Sequence, residues 1–307
     1  MGDAGMSMQP RRPVFKAGIH YSDHSTLNTL QYCLPHGVPD PSQIWIIYIH
    51  GGAWRDPAID ASSFDKVQSL LLEDSCIAHV AGLASINYRL SPYPSHSSDP
   101  SNPADPARNA HHPDHINDVL AAILFLQDEY HFEDRYILVG HSCGATLALQ
   151  VAMKRYWGKQ YESSYATELN VVPPVAIVGV DGIYDIPALL ETYRDEPAYL
   201  HFVTSAFGAD KTVWHAVSPA NADLSQSWQD GRLVSLVHSL DDELLDVDQR
   251  DRLEKALKKQ DWTADGEKRI VIHDLHGLKH DELWQKPAEL AKIIVQTVDT
   301  VAALLAA

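Results

Sequence analysis

Gly140-His141-Ser142-Cys143-Gly144 follows the apolar run Tyr136-Ile137-Leu138-Val139 and leads into Ala145-Thr146-Leu147-Ala148-Leu149. A short apolar run closed by glycine reads as a strand buried on both faces, and the Ala/Leu-rich stretch after it reads as a helix. Gly-x-Ser-x-Gly between the two is the sequence of a sharp strand-to-helix turn that lifts a serine hydroxyl out of the sheet. The helix N-terminus beyond it favours developing negative charge. Ser142 is therefore a candidate nucleophile. The competing reading, an ordinary turn with chance glycines, explains neither flank.

Working outward, comparable runs occur at 44–50, 83–88, 175–180, 233–240 and 269–273. Helical stripes lie among them: Ile116, Val119, Leu120, Ile123, Leu124 and Leu126 form one, and Leu290, Ile293, Ile294, Val298, Val301 and Leu305 another. Alternating strand and helix predicts an α/β fold with a mostly parallel central sheet flanked by helices. A single domain over 1–307 accommodates these elements. Two segments break the rhythm. Residues 91–113 carry six prolines among Ser, Asp, Asn and His, which predicts a surface insertion. Residues 192–223, rich in Tyr, Trp, Phe and His, suit a lid over the carboxyl edge of the sheet.

The 307 residues carry 41 acidic and 24 basic side chains, a formal charge of −17. That balance argues against a nucleic-acid or anionic-membrane partner. With 45% apolar and 21% charged residues the chain has the composition of a globular protein, which excludes disordered and fibrous classes. Cys33, Cys76 and Cys143 cannot close a disulfide framework and match no zinc spacing, which suits a reducing, cytoplasmic setting. The first residues lack a signal-peptide core, and no run approaches the ~18 apolar residues of a membrane span. His96, His111, His112 and His115 imitate a metal cluster but lack supporting acids or cysteines, and Lys255, Lys258 and Lys259 read as a solvated helix face.

A serine at neutral pH needs a base and a group that orients the base. On an elbow of this kind the acid and then the histidine follow the serine along the chain. Downstream stands His238-Ser239-Leu240-Asp241-Asp242-Glu243-Leu244-Leu245. The strand-end pattern His-Gly-x-x-Asp-x-x-Val, laid from His238 to Leu245, selects Asp242. Asp241 is the fallback, and a solvated turn capping the helix near Val247 is the bland alternative. Past the last strand, His273, His276 and His280 are the candidate bases. His273 lies inside the strand and reads as structural, whereas Gly277-Leu278-Lys279-His280 forms a loop from which a histidine can reach back, so His280 is preferred to His276. Finally, His50-Gly51-Gly52-Ala53-Trp54 follows a strand directly, where unhindered N–H groups of Gly51, Gly52 and Ala53, with that of Cys143, can converge on an oxyanion.

The set HGGAW (50–54) with Asp56-Pro57, Tyr88-Arg89-Leu90-Ser91-Pro92, GHSCGAT (140–146), Asp181-Gly182-Ile183-Tyr184, His238-Ser239 ahead of Asp242-Glu243-Leu244-Leu245, and Gly277-Leu278-Lys279-His280 resembles the fungal kynurenine formamidases. These are arylformamidases of the α/β-hydrolase superfamily. The matches run from about His50 to the C-terminal helix. HGG, YRLSP and GxSxG are shared with hormone-sensitive-lipase-type esterases, whereas the tryptophan of HGGxW, DGIY and HS…DELL point more narrowly to the formamidases. The resemblance implies an α/β-hydrolase fold and hydrolysis of N-formyl-L-kynurenine to L-kynurenine and formate, in tryptophan catabolism towards NAD. It implies Ser142 as nucleophile, His280 as base and Asp242 as its partner, with no metal and no cofactor. An aromatic leaving portion needs a flat apolar wall, for which Trp54, Tyr184 and Trp284 are candidates. The expected partner is a small-molecule substrate, with neither nucleic acid nor membrane, and a homodimer stays open. Two other readings remain: a general short-chain carboxylesterase, and a catalytically silent binding protein on the same fold.

Overall fold

The computed structural model describes residues 12–153 and 170–306. Eight strands form one sheet: β1 (Val14–His20), β2 (Thr29–Leu34), β3 (Ile44–Ile49), β4 (Val80–Ile86), β5 (Tyr136–His141), β6 (Ala176–Val180), β7 (Leu233–Ser239) and β8 (Arg269–Leu275), in the order β1-β2-β4-β3-β5-β6-β7-β8. β1 and β2 pair antiparallel, as do β2 and β4, and every pairing from β4 onward to β8 is parallel. The six parallel strands are those expected from their apolar runs. β4 starts earlier than expected, because Val80-Ala81-Gly82 extends it through small residues that carry little apolar signal. β1 and β2 were not expected. β1 is exposed along nearly its whole length, and Lys16, Ala17 and Gly18 interrupt its apolar residues, so it gives no buried-strand pattern.

Alternation along β3 splits the core into two layers. Trp45, Ile47 and Ile49 join one buried cluster, and Ile44, Ile46 and Tyr48 the other. The first layer is closed by α2 (Asp114–Tyr130) and α3 (Cys143–Ala152), through Ile116, Leu120, Ile123, Leu147 and Val151. The second is closed by α1 (Asp65–Glu73) and the C-terminal helix Ala288–Ala306, through Val67, Leu71, Leu290, Ile294 and Val298. Each of these fully buried aliphatic side chains is worth about 1.5–3 kcal/mol. A sheet covered on both faces gives the strands no solvent side, which is why they read as continuous apolar runs.

Because β3, β5, β6, β7 and β8 run parallel, their carboxyl ends share one edge. They deliver His50, Ser142, Asp181, the 240–245 turn and the 276–280 loop there in sequence. Next to this edge lie α4 (Ile186–Thr192), which precedes the 192–223 segment expected to form a lid, and α5 (Pro197–Phe207) and α6 (Lys211–Val217), which lie within it. The proline-rich 91–113 segment is tied to α5: Ser205 Oγ donates to Pro92 O at 2.7 Å, and His112 N donates to Ala206 O at 2.7 Å. Its tip is exposed, while Ser91, Ala107, Arg108 and Ala110 anchor it in the interior.

Candidate active site

Ser142 stands between β5 and α3 with φ 55° and ψ −123°. A non-glycine residue at positive φ stores about 1–3 kcal/mol of strain, which the surrounding packing must hold. Two close approaches hold it. A Cβ on Gly144 would sit 2.2 Å from Ile49 O, so only glycine lets α3 start against the end of β3. A Cβ on Gly51 would meet His141 Nδ1 at 2.8 Å and Ser142 Cβ at 3.1 Å, so the HGG loop lies directly on the elbow. Ser142 N–H donates to Val180 O at 2.8 Å, which carries the sheet ladder one step past the strand.

The loop before α1 is braced from two sides. Tyr88 Oη donates to His50 O at 2.9 Å and to Gly51 O at 3.2 Å, with its ring stacked on His50. Trp54 N–H donates to Cys143 Sγ at 3.2 Å, and Ser91 N–H to Trp54 O at 2.8 Å. Gly52, Ala53 and Trp54 all have positive φ, of 98°, 48° and 60°. YRLSP is therefore a clamp on this loop: Tyr88 and Ser91 grip it, and Arg89 fixes their own segment by donating from Nε to Asp118 Oδ2 and from Nη2 to Oδ1.

The three adjacent acids divide the work of holding the histidine loop. Asp241 Oδ2 accepts from Gly277 N at 2.6 Å, Glu243 Oε2 accepts from His280 N at 3.1 Å, and Asp242 Oδ2 meets His280 Nδ1 at 2.7 Å. Asp242 Oδ1 accepts from Leu244 N at 2.7 Å and Leu245 N at 3.0 Å. His280 is buried and its carbonyl accepts from His141 Nε2 at 3.0 Å, whereas His276 is exposed and His273 lies within β8. Burial opposes the imidazolium of His280, but the hydrogen bond and charge of Asp242, reinforced by Asp181 and Asp281, outweigh it and hold the pKa above the ordinary histidine value. Asp242 is opposed by burial as well, yet His280 and the two backbone N–H groups keep its pKa low.

A second acid–histidine pair adjoins the first, and sequence reading did not single it out. Asp181, at φ 41°, ends β6; its Oδ1 lies 3.1 Å from His238 Nδ1 and accepts from Ser239 N at 2.8 Å. One carboxylate oxygen of Asp181 and one ring nitrogen each of His141 and His280 lie within 4.8 Å of one another. Burial, with Asp242 nearby, pushes the Asp181 carboxyl pKa up against the opposing bond from His238. The available signal was positional: an Asp-Gly closing the strand beside the elbow strand.

Of the candidate aromatic wall, Trp54 is fully buried with its ring edge-on to Phe207 at 4.9 Å and 6.1 Å from Phe202 on α5. Tyr184 is buried against the backbone of Gly179 and Gly182. Trp284 is half-buried on the helical turn Glu282–Gln285, its Nε1 3.3 Å from Asp281 Oδ1.

Sheet order, elbow and the residues gathered at the carboxyl edge define the class: an α/β hydrolase. Esterase B from Lactobacillus rhamnosis shares the fold at a TM-score of 0.68 and 18% identity, over 96% of this chain and 87% of that one. Residues 30–257 match the BD-FAE family model. The chain is 40% identical over 258 residues to the kynurenine formamidase-like hydrolase fscH of Fusarium equiseti, 83% of each chain. It is 39% identical over 288 residues to kynurenine formamidase avaC of Aspergillus versicolor, covering 87% of this chain and 91% of that one. The chain belongs to the kynurenine formamidase family. No helix among the described residues is long and apolar enough to cross a membrane.

Proposed function

We propose that the chain hydrolyses N-formyl-L-kynurenine to L-kynurenine and formate through Ser142, His280 and Asp242, in tryptophan catabolism towards NAD. The observation that carries this reading is the buried 2.7 Å contact of His280 Nδ1 with Asp242 Oδ2, on the sheet edge that bears Ser142. With Nδ1 committed to Asp242, Nε2 is the nitrogen left to take the serine proton. Ser142 Oγ attacks the formyl carbon, its proton passes to His280, and the oxyanion takes N–H groups from the Gly51–Ala53 loop and Cys143. Collapse expels the arylamine with the proton from His280. Water, deprotonated by the same imidazole, then cleaves the formyl-serine ester and releases formate. The 192–223 segment serves as the lid, and three free, buried cysteines support a cytoplasmic setting.

A formyl carbon is less hindered than any longer acyl carbon. The specificity constant for formyl-kynurenine is therefore expected to exceed that for a butyryl nitrophenyl ester, although the ester is intrinsically easier to cleave. An enzyme that cleaves the butyryl ester and ignores the formamide is the general carboxylesterase.

The base must be neutral to act. With the His280 pKa raised, kcat/KM should climb with pH through an apparent value above the reference of about 6.5. Removing the Asp242 charge by Asp242→Asn should move that limb to lower pH in the residual activity. A limb already at or below 6.5 in the unaltered enzyme contradicts His280 as the base.

A further inference from the structure

Among the described residues three arginines are buried: Arg55, Arg108 and Arg250. Arg108 pairs with Asp99, and Arg250 with Asp251 and Asp274. Arg55, 7% exposed, forms no ion pair among the described residues. Its neighbour Asp56 instead accepts from Ala58 N at 2.9 Å and lies 3.4 Å from His96 Nε2. Arg55 Nη1 lies 2.9 Å from His201 Nδ1, a ring nitrogen rather than a carboxylate. The guanidinium lies 4.0 Å above the Tyr93 ring and 5.8 Å from that of Phe202. A buried cation with no carboxylate in contact is costly, and the aromatic faces and the more distant charge of Asp56 offset only part of that cost.

Its position gives the cost a use. Arg55 follows Trp54, whose N–H is bonded to the residue after Ser142, so the guanidinium stems from the loop that borders the nucleophile. It points between Tyr93 of the proline-rich segment and Phe202 of α5. One turn earlier on the same helix, Tyr199 Oη donates to Leu244 O in the acid loop. The first half of α5 thus touches both Arg55 and the turn that carries Asp242. In an aryl formamide with an amino-acid side chain, formyl carbon and carboxylate are separated by about seven bonds, on the order of 6–8 Å. An arginine side chain rooted beside the elbow covers that distance.

We propose that Arg55 is a specificity-determining residue that binds the α-carboxylate of the leaving group, so the enzyme selects aryl formamides bearing an anionic amino-acid tail. Tyr93 and Phe202 hold the planar fork in place while its outer N–H groups meet the carboxylate. This rests on the formamidase reading for the reaction, but not for the binding step.

The test compares N-formyl-L-kynurenine with N-formylkynuramine, the same molecule without the carboxylate, as substrates of the full chain. L-Kynurenine and kynuramine are compared in parallel as inhibitors of nitrophenyl-ester hydrolysis. Unaltered enzyme should prefer the carboxylated substrate about 10- to 100-fold, mostly through KM, and be inhibited more strongly by L-kynurenine. Arg55→Met should collapse both ratios towards one, and Arg55→Lys should restore part of them. Equal handling of the two pairs by the unaltered enzyme overturns the proposal without need of any variant, as does an Arg55→Met enzyme that keeps the ratio. If neither formamide is cleaved but the inhibitor preference holds and depends on Arg55, the formamidase reading fails and the carboxylate site stands.

Discussion

Ser142→Ala is expected to lower kcat by at least about 10³-fold while the protein stays folded. The side chain makes no capping hydrogen bond to α3, and its neighbours are held by backbone contacts that alanine leaves intact: Ser142 N–H to Val180 O, and the approach of Gly144 to Ile49 O. Ser142→Gly should be equally inactive yet more stable than the parent. Glycine takes φ 55° without strain, and relief of about 1 kcal/mol corresponds to a rise in Tm of roughly 2–4 °C in a domain of this order of size. A serine-directed phosphonyl fluoride should label Ser142 in the parent and nothing in either variant. Near-normal turnover in the alanine variant, or labelling elsewhere, removes Ser142 from the reaction.

The elbow and the parallel strands were legible because each depends on local physics. Period-free apolar runs follow from a sheet covered on both faces, and Gly140 and Gly144 follow from backbones too close for a side chain. What escaped depends on pairing between distant segments. β1 carries almost no burial, so no pattern marks it; only its register with β2 makes it a strand. In the Asp241-Asp242-Glu243 triplet, Asp241 and Asp242 read as competitors for one role. In the structure the side chains take three roles on one loop, a division set by where Gly277 and the His280 backbone and ring lie rather than by the acids themselves. Asp181 and His238 were visible as motif letters, but their pairing needs β6 and β7 side by side. Arg55 stands in HGGAWR beside conspicuous glycines. Its want of an ion-pair contact among the described residues is a property of everything around it, which no local window displays.

His280→Ala should cost about 10³-fold or more in kcat, and Asp242→Asn about 10²- to 10⁴-fold, whereas His276→Ala and Asp241→Asn should each stay within about tenfold of the parent. The Asn effect follows from atom positions. Oδ1 of Asp242 accepts from the Leu244 and Leu245 N–H groups, so in the amide the carbonyl must keep that place and the NH₂ must face His280 Nδ1. Two donors cannot share a 2.7 Å contact. The imidazole then loses its Nδ1 proton and carries one on Nε2, leaving no lone pair for the serine hydroxyl. At position 241 the same change is mild, because the amide oxygen can still accept from Gly277 N. Asp242→Ala removes the donor conflict, so if tautomer control is the reason, its residual activity should match or exceed that of Asp242→Asn. Should Asp241→Asn or His276→Ala prove the more damaging member of its pair, the acid–base assignment moves to that residue. The Asp242–His280 contact would then be a brace for the loop rather than part of the reaction.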